Sequence, residues 1–174
     1  MFNISAKPIL VDEKPYVLEV VQPFSYTQEQ LQSDTPKLLR FVSDLNQRIL
    51  LDQDTNASLI RILDFSDIRE KYGQISVTGV ACFLYDLLCT TFQTGETAPL
   101  LVRKSEDSFF VAEKDLSYDV FVSRIQKLVR EIPTQYLVFQ NEILPFEIKA
   151  GCVDLSSETF TSAKELFAAL EKQL

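Results

Sequence analysis

The most informative part of the sequence is the stretch LLVRKSEDSFFVAEKDLSYDVFVSRIQKLVREI, residues 100–132. It opens with two apolar runs, Leu100–Arg103 and Ser108–Ala112, around the charged tip Lys104–Asp107, a pattern that predicts a β-hairpin. From Ser117 onward, apolar residues recur at helical spacing until a proline just beyond the stretch stops the helix. The stretch therefore predicts two antiparallel strands followed by an amphipathic helix.

Two neighbouring aromatic residues in the second strand, Phe109 and Phe110, are the candidate binding residues. Adjacent side chains in a strand point to opposite faces of the sheet. Either helices cover both faces, or the sheet is buried on both sides, or one ring lies in an exposed apolar patch. Exposed patches of this kind mark interfaces with other proteins. On that last alternative, Phe109 and Phe110 are predicted to contact a partner.

Strand and helix patterns alternate through the rest of the chain. Together they predict an α+β fold, a single mixed or mainly antiparallel sheet of about six or seven strands with about four helices packed on it. No linker divides residues 1–174, so we expect a single domain. The further elements are strands at Ile9–Val11, Tyr16–Val21, Ser58–Phe65, Tyr136–Phe139 and Ile143–Ile148, and helices at 36–50, 77–92 and from Ser162 onward.

The chain is acidic, with 25 Asp and Glu against 17 Lys and Arg, a net charge of −8 and a pI near 4.6. Nucleic-acid binding depends on neutralising phosphates with basic side chains, so this balance argues against DNA or RNA. It argues against anionic membrane surfaces for the same reason. The charge predicts a protein partner instead, with homodimer formation left open.

Histidine is absent from the sequence. This excludes Ser-His-Asp triads and imidazole metal sites, and phosphate-binding glycine loops are missing as well. The sequence therefore predicts no catalytic residue, no metal site and no cofactor. Carboxylate chemistry with Mg²⁺ at Asp64 and Asp67 stays open, because both follow a predicted strand. The alternative is a solvated strand end or a helix N-terminus.

Three cysteines, Cys82, Cys89 and Cys152, form no CxxC pair. Nothing in their number or spacing indicates an oxidising compartment, and no secretory signal is visible. The longest apolar stretch, Val77–Leu88, contains Asp86 and is too short to span a bilayer. We therefore expect a cytoplasmic protein.

The order of an apolar helix, the hairpin and the helix YDVFVSRIQKLVREI, over residues 77–132, resembles the core of the CesT-like group. This group comprises type III secretion chaperones and YbjN-like proteins. The resemblance implies a small, acidic, cytoplasmic α+β protein that holds a segment of another protein. The chain departs from the group by beginning with strands and by carrying a further β-β-α pattern after Pro133. No functional residue is carried over.

These observations predict a non-enzymatic protein-binding module, chaperone-like or an assembly or regulatory factor. One alternative is an acidic inhibitor or immunity-type protein, which requires carboxylates clustered on one face. The other is a carboxylate- and Mg²⁺-dependent enzyme, which requires a site around Asp64 and Asp67.

Overall fold

The computed structural model describes seven stretches of the chain. They hold eight strands and five helices within the part described. The described residues are 2–11, 14–23, 35–50, 55–92, 99–114, 116–139 and 142–174.

The strands and helices alternate along the chain, as the sequence predicts. The strands are β1 (Phe2–Val11), β2 (Lys14–Pro23), β3 (Asn56–Ile62), β4 (Leu100–Arg103), β5 (Ser108–Glu113), β6 (Tyr136–Phe139), β7 (Glu142–Leu144) and β8 (Ile148–Asp154). The helices are α1 (Thr35–Leu50), α2 (Phe65–Tyr72), α3 (Gln74–Phe92), α4 (Tyr118–Glu131) and α5 (Ala163–Glu171).

Two helix boundaries follow from local chemistry. The Ser162 hydroxyl accepts from the Glu165 backbone N–H at 3.4 Å, while the Glu165 carboxylate accepts from the Thr161 N–H at 2.9 Å. These bonds satisfy backbone donors at the start of α5 that have no partner within the helix. At the end of α4, Pro133 has no N–H to continue the α-helical ladder, and a short 3-10 turn follows.

The strands form two four-stranded sheets, with the orders β2-β1-β6-β7 and β4-β5-β3-β8. Every neighbouring pair is antiparallel. The α+β class and the mainly antiparallel pairing are therefore confirmed, although the strands divide over two sheets instead of one. The division depends on the pairing of β1 with β6, which joins residues far apart in sequence. Strand patterns do not specify such distant partners.

Three elements differ clearly from the sequence expectation. The first is β1, which begins at Phe2 and not at Ile9. The strand predicted at Ile143–Ile148 is interrupted at Pro145, and β8 begins only at Ile148. Proline cannot donate to a strand ladder, which explains the break. The strand predicted at Ser58–Phe65 ends at Ile62 instead, and Phe65 begins α2.

The second sheet is buried on both faces. Along β3, Ile60 and Ile62 belong to one apolar cluster, and Ala57 and Leu59 belong to another. This alternation is the period of two that a strand imposes. Helices α2, α3 and α4 contribute residues to the first cluster, and α1 and α5 to the second. The sheet therefore lies between two helical layers.

Phe109 and Phe110 point into these two clusters, with 1% and 0% of their surface exposed. The Phe109 ring lies 6.2 Å from that of Tyr85. Phe110 packs edge-on against Phe41 at 4.9 Å and against Phe167 at 5.0 Å. Helices thus cover both faces of β5. A binding role for these two residues stays a prediction, and neither ring is accessible in this structure.

Helix α3 is long and apolar enough to cross a membrane by length and composition. It has 19 residues and extends beyond the apolar stretch noted in the sequence. Within the domain, 56% of its most apolar window is buried. It packs between α2, α4 and the second sheet, as a core helix does.

We predict that Phe110→Ala lowers the free energy of unfolding by about 3–5 kcal/mol, because it empties a site between two aromatic rings. Urea denaturation followed by circular dichroism measures this. Ile143→Ala, at a side chain that is 56% exposed, should change stability by less than about 0.5 kcal/mol. Equal small losses for both variants would contradict the packing described.

Candidate functional site

The turn between β4 and β5 is fixed by its own hydrogen bonds. The Lys104 N–H donates to the Ser108 carbonyl at 2.9 Å. The Ser105 hydroxyl donates to the Asp107 carboxylate at 2.5 Å and also contacts the Ser108 hydroxyl. The turn contains no glycine. These hydrogen bonds hold Glu106 and Asp107 in defined positions at the tip.

The tip is joined to the central strand β3. The Ile62 N–H donates to the Asp107 carbonyl at 2.8 Å, which extends the sheet by one bond beyond the strands. The Asp107 carboxylate also lies 3.7 Å from Arg61 Nε. An acidic side chain of the tip thus faces a basic side chain near the end of β3.

Helix α2 supplies a second cation to the tip. Arg69 forms a hydrogen-bonded ion pair with the Glu106 carboxylate. Its guanidinium also lies over the Phe65 ring, 5.2 Å from the ring centroid. Contact with an aromatic face and with a carboxylate defines the position of this guanidinium.

Arg103, the last residue of β4, folds back over the turn. Its Nε donates to the Ser105 carbonyl at 3.1 Å, and its Nη2 donates to the Glu106 carbonyl. Its guanidinium lies 5.9 Å from the Phe109 ring centroid. Glu106 therefore contacts two guanidinium groups, Arg69 through its carboxylate and Arg103 through its main-chain oxygen.

On the opposite side, Lys104 joins the turn to α5. Its ammonium group pairs with the Glu171 carboxylate and lies 5.4 Å from the Phe167 ring centroid. The hydrogen bond from Lys104 and the charge of Lys104 lower the pKa of Glu171, and the charge of Arg61 adds to this effect. The tip is thus held from both faces of the sheet by ion pairs.

We name the seven charged residues at and around the hairpin tip the hairpin cluster. It has four cations and three carboxylates, which leaves a local charge of about +1 in a chain of net charge −8. Guanidinium groups bind phosphate and carboxylate oxygens with two parallel hydrogen bonds, so the cluster can receive an anionic ligand. Its members are Arg61, Arg69, Arg103, Lys104, Glu106, Asp107 and Glu171.

Two donors of the cluster are left without hydrogen bonds. Arg61 Nε and Arg69 Nε are both buried, and neither has a hydrogen-bond acceptor within the stretches that the structure describes. Buried donors are paired in most native proteins. Arg61 lies toward α5 and Arg69 belongs to α2, so each side of the sheet has one such donor.

Asp64 and Asp67 lie at the start of α2, next to the cluster. Asp64 is the N-cap residue, with φ of 50°, and its carbonyl accepts from the Ile68 N–H at 3.0 Å. Asp67 is exposed in the first turn. In the described stretches, no group of three His, Cys, Asp or Glu side chains could hold a metal ion. The two aspartates thus lie at a helix N-terminus, which was the predicted alternative to a Mg²⁺ site.

A concavity lies between α4 and β8, with a volume of about 550 Å³. At one end the Tyr118 hydroxyl donates to the Cys152 carbonyl at 3.2 Å, and the Cys152 N–H donates to Gln173 Oε1 at 2.9 Å. Arg130 and Lys149 also line this cleft. Burial raises the pKa of the Cys152 thiol, which keeps it protonated and unreactive at neutral pH.

Comparison with known proteins identifies the architecture. No protein-family model matches the sequence, and no curated protein matches it. Solved structures do match: the GGDEF domain of FimX from Pseudomonas aeruginosa superposes with a TM-score of 0.67 at 14% identity, over 79% of this chain and 83% of that one. The fold is that of the GGDEF domains.

Two further structures support the same assignment. The GGDEF domain of DgcB from Caulobacter crescentus, solved in complex with c-di-GMP, gives a TM-score of 0.64 at 10% identity over 78% of each chain. The active GGEEF domain of a diguanylate cyclase from Vibrio cholerae gives 0.57 at 17% identity, over 77% of this chain and 85% of that one. At such identities the likeness shows the fold alone.

This finding corrects three expectations. The resemblance to the CesT-like group is wrong, because the matching structures are GGDEF domains. The order helix, hairpin, helix over residues 77–132 is present, but it does not specify that β3 lies beside the hairpin. The expected chaperone-like function and the expected lack of enzymatic activity are overturned as well, because the structural neighbours include diguanylate cyclases.

A protein partner is compatible with this fold. The diguanylate cyclase SiaD from Pseudomonas aeruginosa, which superposes with a TM-score of 0.58 at 11% identity, was solved with its activator SiaC.

The hairpin cluster was not predicted from the sequence. The residues Lys104–Asp107 were predicted only as the charged tip of a hairpin. Arg61 and Arg69 lie about 40 residues earlier and reach the tip only because β3 pairs with β5. Arg61, the single charged residue in the strand sequence NASLIRI, was the signal that could have indicated the site.

We predict that the Lys104–Glu171 pair stabilises the fold at neutral pH and not in acid. A lowered carboxylate pKa gives a stabilisation that is complete above the ordinary glutamate value, about 4 to 5, and is lost as the pH falls through the lowered pKa. Because the pair is partly exposed, Glu171→Gln should cost less than about 1 kcal/mol at pH 7. Urea unfolding at pH 7 and pH 3 measures the difference, which should be smaller at pH 3. A cost that is the same at both pH values would contradict the assignment.

Proposed function

We propose that this chain binds a guanine nucleotide of the c-di-GMP system at the hairpin cluster. The observation that carries the proposal is the convergence of four cations on the tip of the β4–β5 hairpin, in a fold whose solved examples include complexes with c-di-GMP. Arginine pairs with phosphate oxygens, and it also pairs with the O6 and N7 atoms of guanine. A guanine nucleotide offers both kinds of acceptor.

The two sides of the tip suit different parts of such a ligand. On the side of α2, the Arg69 guanidinium can pair with an oxyanion, whereas Arg103 is bonded to main-chain carbonyls of the turn. Arg61 and Lys104 lie on the side of α5. A ligand with two phosphate groups, such as c-di-GMP, has an anion for each side.

The hairpin differs in sequence from the pentapeptide after which GGDEF domains are named. Those letters spell Gly-Gly-Asp-Glu-Phe, whereas the four glycines of this chain are never adjacent. The hairpin residues Ser105–Phe109 read SEDSF and match the pentapeptide at Asp107 and Phe109. A ligand at this hairpin therefore meets the Ser105 and Glu106 side chains where the pentapeptide has glycines.

The residues at the tip do not fit a divalent cation, although phosphoryl transfer commonly uses Mg²⁺. The carboxylates of Glu106 and Asp107 face arginines. Arginine is a cation without lone pairs to coordinate a metal. Within the described stretches no third ligand joins them. We derive no reaction step through a metal, and the proposal concerns nucleotide binding.

We propose further that the chain forms one domain over residues 1–174 and works with a protein partner, as the solved complex of SiaD with SiaC suggests for this fold. A cytoplasmic location suits the three cysteines, all of which are free thiols.

Isothermal titration calorimetry of the whole chain with GTP and with c-di-GMP tests the proposal. We expect at least one of the two to bind, with an affinity that falls as salt is raised, because the contacts are charged. Arg69→Gln should weaken binding about tenfold, the typical effect of losing a hydrogen bond to a charged group. Analysis of GTP incubated with the protein and Mg²⁺ then shows whether binding leads to formation of c-di-GMP.

Lys127→Gln is the matched control. Lys127 is an exposed cation of α4 that pairs with Glu131 and lies outside the cluster. It should leave the affinity unchanged. The absence of binding for both nucleotides, or an equal loss in the two variants, would overturn the proposal.

A further inference from the structure

Of the two acidic residues at the hairpin tip, Glu106 is more exposed than Asp107. We propose that the Glu106 carboxylate is an internal competitor for the bound anion: it occupies Arg69 in the free protein and leaves when a nucleotide phosphate binds. This inference rests on the proposed function and adds a regulatory element to the same site.

The backbone and the side chain of Glu106 have different partners. Its carbonyl accepts from Arg103, and the bond between Lys104 and Ser108 closes the turn around it. The carboxylate contacts Arg69 alone among the described residues. The side chain can therefore rotate away from Arg69 while the turn keeps its shape.

Glu106 is the carboxylate of the cluster that is most easily displaced. Its side chain is 65% exposed, against 34% for Asp107 and 46% for Glu171. Asp107 is also held by the Ser105 hydroxyl, and its carbonyl is bonded to β3. An exposed ion pair contributes little stability, so a phosphate with two or more oxygens can replace this one.

Arg69 stays in place when Glu106 leaves. Its guanidinium lies over the Phe65 ring, and Phe65 is buried in the core. Its Nε lacks a hydrogen-bond acceptor within the described part of the chain. The freed guanidinium thus keeps an orientation suited to an incoming oxyanion, and little ordering remains to be done on binding.

The charge of the site changes with the competitor. With the Glu106 carboxylate in place, the four cations of the cluster face three carboxylates. When that carboxylate is displaced, they face two. The local charge then rises from about +1 to about +2, which favours a phosphate. The Glu106 carboxylate therefore lowers the affinity of the cluster for phosphate below the value that the four cations alone would give.

Glu106→Gln tests the inference. The variant keeps the size of the side chain and removes its charge, so it should bind GTP or c-di-GMP about threefold to fivefold more tightly than the wild type, the range expected from removing one exposed ion pair. Calorimetry at low salt measures this. In the double variant with Arg69→Gln the gain should disappear, because the two residues act on each other. Glu131→Gln, at an exposed glutamate paired with Lys127, should leave the affinity unchanged.

The outcomes separate the two proposals. If the wild type binds nucleotide and Glu106→Gln binds with equal or lower affinity, the inference about competition is overturned while the proposed function stands. If neither the wild type nor the variant binds either nucleotide, the proposed function itself fails. Binding by Glu106→Gln that exceeds the wild type, and that is lost with Arg69→Gln, supports the competition.

Discussion

The central strand β3 determines the rest of the structure. It pairs with β5 on one side and β8 on the other, and six of its seven residues are buried. Because its side chains point alternately to two apolar clusters, helices must cover both faces of the sheet. The exception to this burial is Arg61, one residue before the strand ends. A charge is tolerated there because the sheet ends and the side chain reaches water at the hairpin tip.

That arrangement explains why the charged residues gather where they do. The tip of the β4–β5 hairpin projects beside the end of β3, and the starts or ends of α2 and α5 lie on its two sides. Each of these elements must put polar residues where the apolar core ends. The result is a cationic group of side chains on an acidic domain, at one end of a fold that GGDEF domains share. An anionic ligand is attracted there and repelled from most of the remaining surface.

The sequence predicted the local elements well and the distant pairings poorly. The hairpin at Leu100–Ala112, the capping residues of α5 and the end of α4 before a proline depend on neighbouring residues alone, and all three are observed. The pairing of β3 with β5, and of β1 with β6, joins residues separated by about 50 or more positions. Nothing local specifies such partners.

The candidate site depends on those distant pairings, which is why the sequence did not reveal it. Phe109 and Phe110 were the predicted binding residues because they are adjacent and apolar. In the structure they are core residues on opposite faces of the second sheet. Arg61 and Arg69 had no visible connection to the hairpin until β3 lay beside it. The resemblance to another group of proteins failed for the same reason, since an order of elements does not define a topology.

The central claim is that the hairpin cluster is the nucleotide-binding surface of this domain. The most direct measurement is a titration of the ¹⁵N-labelled chain with c-di-GMP and with GTP, followed by two-dimensional NMR. If the ligand binds at the hairpin cluster, the backbone amides of residues 103–108 and of α2 shift first and most. Shifts confined to the cleft between α4 and β8, with the hairpin amides unmoved, would contradict it.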